Sequence, residues 1–235
     1  MIEVYIVRIP NKIETRLFKQ LLGYVSNEKR KKIENFHRKE DSYRGLIADL
    51  LVRSLIIRKY SISNEEIEFK NNLYGKPYLH NVSNFEFNVS HSGDWVVCAV
   101  DKFSIGIDVE LIKPIEFEIA KSFFAEAEYN DLLSIDPLRK LDYFYDLWTI
   151  KESYVKVLGE GLTIPLNSFL VKKHDFKQIE IIKNNKKTPY FVKQYDIDDQ
   201  YKLSVCAMHN NFSINPQHVN FFSIVKEIMG KEVLF

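Results

Sequence analysis

The sequence predicts a mixed α and β fold, and three segments carry that prediction. Residues 104–110 read S-I-G-I-D-V-E and alternate apolar with other residues at a period of two, which indicates a strand. Residues 40–60 and 144–159 repeat apolar side chains at three- and four-residue spacing, which is typical of helices with one buried face. Gly159 is expected to end the second helix, because glycine readily adopts the left-handed conformation found there.

A repeated motif indicates that the fold contains two similar halves. The dipeptide Pro-Tyr is followed by Val-Cys-Ala twice, at 77–78 and 97–99 and again at 189–190 and 205–207. Each occurrence comes after one of the two predicted helices. The repeat favours an internal duplication with a boundary near Phe103, and chance similarity between short matches is the alternative.

The composition is that of an ordinary globular protein without a strong overall charge. The 235 residues are 46% hydrophobic and 28% charged, with a net charge of +1, so a substantial buried core is expected. So small a net charge gives no global attraction to nucleic acid or to a membrane, and we expect neither partner. We find no signal-type segment and no apolar run of membrane-spanning length, and we therefore expect a cytoplasmic protein. Cys98 and Cys206 lie in apolar runs and are expected to be buried thiols.

Three segments outside the repeats complete the outline. Residues 1–10 contain V-Y-I-V and predict an opening strand. Residues 29–39 contain six basic side chains, which form either a solvated helix face or a phosphate-binding patch at the edge of a cleft. Residues 212–235 have no strong pattern, so we expect them to form a tail packed on the surface.

Two turns are candidates for binding phosphate. Residues 74–78, Y-G-K-P-Y, hold Lys76 in a constrained backbone, although a turn with an exposed lysine is also ordinary. Residues 85–100 predict two strands broken by the loop Ser90-His91-Ser92-Gly93. Hydroxyls, an imidazole and a glycine in a tight loop can gather hydrogen bonds around a phosphate, and a histidine without a function is the alternative.

The strand at 104–110 brings two carboxylates to one face. Asp108 and Glu110 are two residues apart and therefore point in the same direction. Gly106 on that face leaves room for another group to approach the backbone closely. A strand that exposes its acidic face to solvent is the alternative interpretation.

The helix at 144–159 adds a third carboxylate and a cation. Trp148, Glu152 and Lys156 follow one another at four-residue spacing and therefore share one face. A glutamate–lysine pair at this spacing is usually structural. Set beside an acidic strand, however, three carboxylates suit Mg²⁺, which takes its remaining ligands from water and substrate phosphates. The pattern indicates phosphoryl transfer.

Six short segments occur in a characteristic order along the chain. They are E-K-R-K-K (28–32), Y-G-K-P-Y (74–78), F-N-V-S-H-S-G (87–93), I-G-I-D-V-E (105–110), F-F-A-E-A-E-Y (123–129) and W-T-I-K-E-S-Y-V-K (148–156). Each segment alone is weak evidence for a family. In this order and spacing, the six segments resemble the Sfp-type 4′-phosphopantetheinyl transferases over almost the whole chain.

The resemblance implies a fold and a separate role for each half of the chain. The implied fold is α+β with two pseudo-symmetric halves, each a small antiparallel sheet with a long helix, and the active site lies at their interface. Residues 1–103 would form the N-terminal half, which binds the nucleotide of coenzyme A. Residues 104–235 would form the C-terminal half, which binds Mg²⁺ and carries catalysis. Because both halves lie in one chain, we expect a monomer.

The same resemblance implies the reaction. The enzyme would transfer the 4′-phosphopantetheine arm of coenzyme A to a serine hydroxyl of an apo carrier protein and release 3′,5′-ADP. The carriers would belong to peptide synthetases, polyketide synthases or fatty-acid synthases, as in the biosynthesis of nonribosomal peptide antibiotics. The alternatives are a metal-dependent nucleotide phosphohydrolase and a coenzyme A sensor descended from the transferase.

Individual residues acquire roles from the resemblance. Asp108, Glu110 and Glu152 match the Mg²⁺ ligands. Glu152, or a metal-bound water that it orients, would take the proton of the carrier serine, and Lys156 would neutralise the departing phosphates. The positions that match coenzyme A contacts are Lys29, Lys32, Lys76, Ser90 and His91, together with Arg44.

Two matches are weaker than the others. Arg44 and Gly45 lie beside the position where relatives offer a hydroxyl to the 3′-phosphate, and Gly45 has no hydroxyl. Lys113, Ile115 and Phe117 lie in the segment that matches the carrier-docking surface. For this apolar segment, the alternative is that its side chains cover the core.

Overall fold

The computed structural model describes residues 1–80, 82–174 and 178–230. The first part of the chain forms β1 (Glu3–Arg8), α1 (Thr15–Leu21), α2 (Asn27–Glu34), α3 (Lys39–Tyr60), β2 (Phe69–Asn71), β3 (Pro77–Leu79), β4 (Glu86–Ser92) and β5 (Trp95–Asp101). The second part forms β6 (Ile105–Leu111), α4 (Ala120–Phe123), α5 (Glu126–Ser134), α6 (Pro137–Leu158), β7 (Leu170–Lys173), β8 (Ile179–Lys183), β9 (Lys186–Lys187), β10 (Phe191–Tyr195), β11 (Tyr201–Ala207), β12 (Gln217–His218) and α7 (Phe221–Met229).

Two sheets, one from each part of the chain, form the centre of the fold. The first has the order β12-β1-β5-β4 and the second has the order β10-β11-β6. All of their strand pairs are antiparallel except β1 with β12. The central strands carry Cys98 and Cys206, which are both buried, free thiols, as predicted. The predicted α+β fold with two similar halves is confirmed.

The two sheets pack against each other through apolar side chains. Alternate residues of β1, β5, β6 and β11 form this shared cluster, which includes Ile6, Val97, Ile107 and Val205. The intervening residues of β1 and β5 face α3 instead, and Cys206 on the second sheet faces α6. Burial of so many aliphatic side chains supplies the main driving force for joining the halves.

The two long helices match each other in length and in the way they end. Both α3 and α6 contain 22 residues. Ser61 with φ 54° follows α3, and Gly159 with φ 74° follows α6, so each helix ends at a left-handed residue. Helix α6 begins before the predicted segment, because Asp136 caps it by accepting a hydrogen bond of 2.8 Å from the Leu138 amide.

The strand prediction around Ser90 needs a correction. Ser90, His91 and Ser92 continue β4 and pair with β5, so they do not form a loop. The connection between the strands contains only Gly93 and Asp94, and Gly93 has φ 53°, which a two-residue hairpin turn requires.

The prediction of a surface tail for residues 212–235 is wrong for the part that the structure describes. Strand β12 pairs with β1, and α7 packs against α3. Phe221, Ile224, Val225 and Ile228 of α7 are buried in the apolar core of the first half. The C-terminal segment therefore returns to the N-terminal half, and residues 231–235 lie outside the described residues. In the described ranges, no helix is both long and apolar enough to cross a membrane.

Candidate active site between the two halves

Helix α6 lies directly on strand β6 at Gly106, where the strand has no side chain. A Cβ atom built on Gly106 would lie 2.5 Å from the Val157 nitrogen and closer still to the Ser153 carbonyl oxygen. Only glycine permits this contact, so the close approach predicted at this position is confirmed. The contact places the helix face that carries Glu152 and Lys156 beside the carboxylates of β6.

Trp148, Glu152 and Lys156 lie on a partly exposed side of α6. Most residues of α6 after Phe144 are buried, whereas Trp148, Glu152 and Lys156 are half-buried. The Trp148 ring stacks on Phe144 with centroids 5.6 Å apart, which fixes its orientation on this side of the helix. The four-residue spacing in the sequence thus identified the side of α6 that faces the site.

Asp108 is the buried centre of the site. The ammonium group of Lys156 donates to Oδ1 at 2.6 Å, and the hydroxyl of Ser90 donates to the same oxygen at 2.9 Å. The other oxygen, Oδ2, is also buried and accepts no hydrogen bond from the described residues. Burial raises the pKa of Asp108, although Lys156 and Ser90 act in the opposite direction. A buried carboxylate oxygen without a donor is a favourable position for a cation.

The other two predicted ligands lie within electrostatic reach of Asp108. Burial and the Asp108 charge raise the pKa of Glu110 to about 7, while Ser92 donates to Glu110 at 2.8 Å. Burial and the same charge raise the pKa of Glu152. Within the described residues, however, no group of three or more His, Cys, Asp or Glu side chains is arranged to hold a metal ion. The carboxylates are therefore neighbours that repel each other, and they do not form a preformed ligand set.

Polar side chains at alternate positions of β4 join the two halves. The Ile107 amide donates to Asn88 Oδ1 at 2.9 Å, and the Leu111 amide donates to Ser92 Oγ at 3.1 Å. Ser90 lies between them on the same face of the strand. The family resemblance gives a role to Ser90 but to neither Asn88 nor Ser92, although the period-two pattern of asparagine and serines is a signal for all three.

A group of cations lies at one end of the site. Partial desolvation lowers the pKa of His91, and the charges of Arg44, Lys156 and Lys29 lower it further. Three cations that act on one imidazole form a position for an anion. Arg44 also donates to the Gly93 carbonyl at 2.7 Å, which ties α3 to the β4–β5 turn.

A cavity of about 300 Å³ lies beside this cationic group. Its lining residues come from α2, α3 and the strands β2 to β4, and they include Phe69, Phe87 and Lys29. Lys29 is half-buried in the wall, whereas Lys32 is exposed and pairs with Glu28 at 2.8 Å. Apolar walls with a few cations at the rim suit a ligand that has a flat ring and phosphates.

The structure directs Lys76 away from this cavity. Its ammonium donates to the carbonyl oxygens of Lys156 at 2.7 Å and of Ile105 at 3.0 Å, and to the hydroxyl of Ser104 at 3.4 Å. Burial lowers the pKa of Lys76 to about 8. All three ammonium protons thus have protein acceptors, which differs from the phosphate contact that the resemblance implies.

The predicted docking segment is partly covered. Lys113 is exposed, and its carbonyl oxygen accepts a hydrogen bond of 3.2 Å from Tyr145. Ile115 and Phe117 are half-buried against the apolar cluster of the second half, and Ile119 is 45% exposed. Ile115 and Phe117 therefore both cover the core and leave part of their apolar surface exposed.

Comparison with known proteins identifies the family. Residues 104–206 match a family model described as the 4′-phosphopantetheinyl transferase superfamily, and residues 12–103 match one described as 4′-phosphopantetheinyl transferase, N-terminal. The 4′-phosphopantetheinyl transferase Sfp of Bacillus subtilis (strain 168) is 46% identical over 193 residues, which cover 82% of this chain and 86% of the relative. The chain belongs to the Sfp-type 4′-phosphopantetheinyl transferases.

Two further relatives agree with this assignment. The 4′-phosphopantetheinyl transferase gsp of Aneurinibacillus migulanus is 40% identical and covers 90% of this chain and 88% of its own. The 4′-phosphopantetheinyl transferase psf-1 of Bacillus pumilus is 38% identical and covers 85% of each chain. The predicted family and the predicted enzyme class are confirmed, and the protein is a 4′-phosphopantetheinyl transferase.

A buried ion pair behind the transferase site was not predicted. Lys151 immediately precedes Glu152 and is fully buried, with its ammonium 2.8 Å from Glu128 Oε2. It also donates to the carbonyl oxygens of Leu166 at 2.9 Å and of Phe169 at 2.8 Å. Both charged residues lie within segments that carry the family resemblance, but a lysine in a sequence is ordinarily expected in solvent.

Proposed function

We propose that this transferase moves the 4′-phosphopantetheine arm of coenzyme A to a serine hydroxyl of an apo carrier protein in the cleft between its two halves. The observation that carries the proposal is the meeting of Asp108 from β6, Lys156 from α6 and Ser90 from β4 at hydrogen-bonding distance. Carboxylates and a cationic group thus adjoin at one point, as transfer from a polyanionic substrate requires.

Coenzyme A is assigned to the first half. The flat adenine ring suits the cavity of about 300 Å³, and Lys29 and Lys32 lie at its wall and rim. The phosphates are assigned to Lys29 and Arg44, whose charges both act on His91, and to the His91 imidazole as a hydrogen-bond donor. Gly45 offers no hydroxyl, and a side chain there would lie 3.1 Å from the Phe36 ring.

The donor chemistry of the site fits Mg²⁺. Asp108, Glu110 and Glu152 would hold it, since all three offer oxygen ligands and the Oδ2 atom of Asp108 is buried without a donor. The raised pKa of Glu110 and of Glu152 has burial and the Asp108 charge as its causes, both of which a divalent cation would oppose. When bound, Mg²⁺ supplies neutralisation of the charge on the pyrophosphate.

The side chains of the transferase supply the remaining steps. Glu152, or a water molecule that it orients, would accept the proton of the carrier serine. The serine oxygen then forms a bond to the β-phosphorus while the bond to the bridging oxygen breaks. Lys156 faces the departing 3′,5′-ADP and stabilises its new negative charge.

Both halves are proposed to contribute to a monomeric enzyme in the cytoplasm. Residues 1–103 would bind the nucleotide, and residues 104–235 would bind Mg²⁺ and supply the base, with residues 217–230 packed back on the first half. Carrier domains of peptide synthetases, polyketide synthases and fatty-acid synthases are the proposed acceptors. Lys113, Ile115 and Phe117 are the proposed docking residues at the rim.

Intact mass spectrometry tests the proposed function. The protein is incubated with coenzyme A, Mg²⁺ and one apo carrier of each kind, and the carrier is expected to gain the mass of the phosphopantetheine arm. A carrier whose acceptor serine is replaced by alanine is the control. Release of 3′,5′-ADP without any carrier modification would instead support the phosphohydrolase.

Replacing His91 should weaken the binding of coenzyme A more than the binding of dephospho-coenzyme A. If His91 contacts the 3′-phosphate, His91→Ala removes a hydrogen bond to a charged group, which corresponds to roughly tenfold or more in affinity. Titration calorimetry with both ligands measures the difference. His80→Ala is the matched control, because His80 contacts Lys70 at 2.8 Å on the β2–β3 hairpin. Equal losses for both ligands would place His91 away from the 3′-phosphate.

Replacing Phe117 by serine should raise the KM for the carrier and leave coenzyme A binding unchanged. An apolar side chain that anchors an interface contributes more than about 1 kcal/mol, so a rise of roughly fivefold or more is expected. Ile119→Ser tests the same surface with a more exposed residue, and Ile214→Ser is the control at a side chain that is 84% exposed. If all variants keep the wild-type carrier KM, the carrier docks elsewhere.

A further inference from the structure

The hairpin formed by β2 and β3 has two functional faces. Asn71, Gly75 and Pro77 line the cavity assigned to the nucleotide. Asn72 and Lys76 point the other way and contact the C-terminal end of α6. One short hairpin thus touches both the nucleotide cavity and the helix that carries Glu152 and Lys156.

The contacts converge on the last carbonyl groups of α6. Lys76 donates to the Lys156 carbonyl at 2.7 Å, and Asn72 donates to the Gly159 carbonyl at 2.8 Å. The Ser104 hydroxyl, which also accepts from Lys76, donates to the Val157 carbonyl at 2.7 Å. Carbonyls in the last turn of a helix have no partner within the helix, and a cation there is favoured by the helix dipole.

We propose that Lys76 is a positioning residue that holds the end of α6 in place for catalysis and does not bind the phosphates of coenzyme A. Its three acceptors lie at the end of α6 and the start of β6, so a phosphate contact would require it to leave them. Lys156 also has three acceptors, but two of them, Asp108 and Ser90, belong to the proposed site itself. Lys156 is held at both ends as a result. Its carbonyl accepts from Lys76, while its own ammonium reaches Asp108 at 2.6 Å.

Gly159 leaves the space that Lys76 and Asn72 need to reach the end of α6. A Cβ atom at this position would lie 3.1 Å from Lys76 Cδ and 3.3 Å from Asn72 Nδ2, and the backbone has φ 74°. The glycine therefore both ends the helix and lets the hairpin approach it. The close packing connects the cavity side of the hairpin to the position of α6.

The proposal rests on the proposed function, and kinetics with Lys76→Met tests it. Loss of the charged hydrogen bonds is expected to lower kcat roughly tenfold or more, with the Kd for coenzyme A changed less than about twofold. Lys70→Met on the same hairpin is the matched control, since Lys70 is exposed and lies 3.8 Å from Glu68. A tenfold rise in the Kd for coenzyme A with kcat unchanged would overturn the proposal, as would no change in either.

A chemical rescue separates positioning from a loss of folding. In Lys76→Cys, treatment with 2-bromoethylamine restores an ammonium of almost the same length, and kcat is expected to recover. Cys98 and Cys206 are fully buried, so the introduced thiol is the reactive one. Failure of the ammonium to restore kcat would contradict the proposal.

Hydrogen exchange provides a readout that does not depend on transfer. In Lys76→Met the amides of the last turns of α6 are expected to exchange faster, whereas Lys70→Met leaves them unchanged. If the wild-type protein modifies none of the carriers, the proposed function fails while this measurement still reports on α6. Unchanged exchange in Lys76→Met would overturn the positioning role.

Discussion

The Asp108→Ala variant is expected to lose transfer activity by at least about two orders of magnitude, because removal of a metal ligand removes several kcal/mol of charge stabilisation. Asp108 is the buried carboxylate that joins β4, β6 and α6, and the Oδ2 atom that the variant deletes has no donor among the described residues. Glu152→Ala is expected to have a similar effect, since it removes both a proposed ligand and the proposed base.

The measurement is the initial rate of carrier modification at saturating coenzyme A and Mg²⁺. Circular dichroism establishes that each variant is folded, and the shift of the melting temperature on adding Mg²⁺ reports binding without turnover. Asp142→Ala is the matched control, because Asp142 lies on α6 but pairs with Lys202 at 2.8 Å. Turnover close to the wild-type rate in either active-site variant would remove that residue from the proposed ligand set.

The parts of this site that the sequence predicts are those set by local periodicity. Alternation along β6 places Asp108 and Glu110 on one face, and four-residue spacing places Glu152 and Lys156 on one side of α6. Gly106 marks the strand position where a helix backbone lies against it. The order of the six segments then identifies the family.

The parts that the sequence does not predict depend on tertiary packing. The motif around Lys76 predicts a turn, but it does not say which face of the turn meets the nucleotide and which meets α6. The motif Ser90-His91-Ser92 reads as a loop because small polar residues favour turns, and pairing with β5 overrides that preference. Helix α7 is only nine residues long, so its stability comes from docking on α3.

Lys151 illustrates the same limit for charged residues. Sequence patterns place a lysine in solvent by default, whereas its burial here depends on acceptors that come from distant parts of the chain. Glu128 lies 23 residues earlier on α5, and the two carbonyl acceptors belong to the segment before β7. No local period connects these positions.

The Glu128→Ala variant is expected to lose about 3–5 kcal/mol of unfolding free energy, because it leaves the Lys151 charge buried without its counter-ion. Glu128 accepts from the Val171 amide at 2.6 Å and from the Ala125 amide at 2.7 Å, in addition to pairing with Lys151. The pair therefore joins β7 and the start of α5 to α6. Urea denaturation followed by circular dichroism measures the loss, and Lys187→Met, at a partly exposed ion pair with Glu180, should cost less than about 1 kcal/mol.

A double-variant cycle shows whether the loss of stability on replacing Glu128 comes from the unpaired Lys151 charge or from lost packing. Glu128→Leu combined with Lys151→Met replaces both charges by apolar groups, and it should recover much of the stability lost in Glu128→Leu alone. The Lys151 ammonium also lies 4.3 Å from the centre of the Phe169 ring, a contact that a methionine side chain can replace with its thioether. If the two losses instead add in the double variant, the ion pair contributes nothing beyond the separate packing and backbone hydrogen bonds of Glu128 and Lys151.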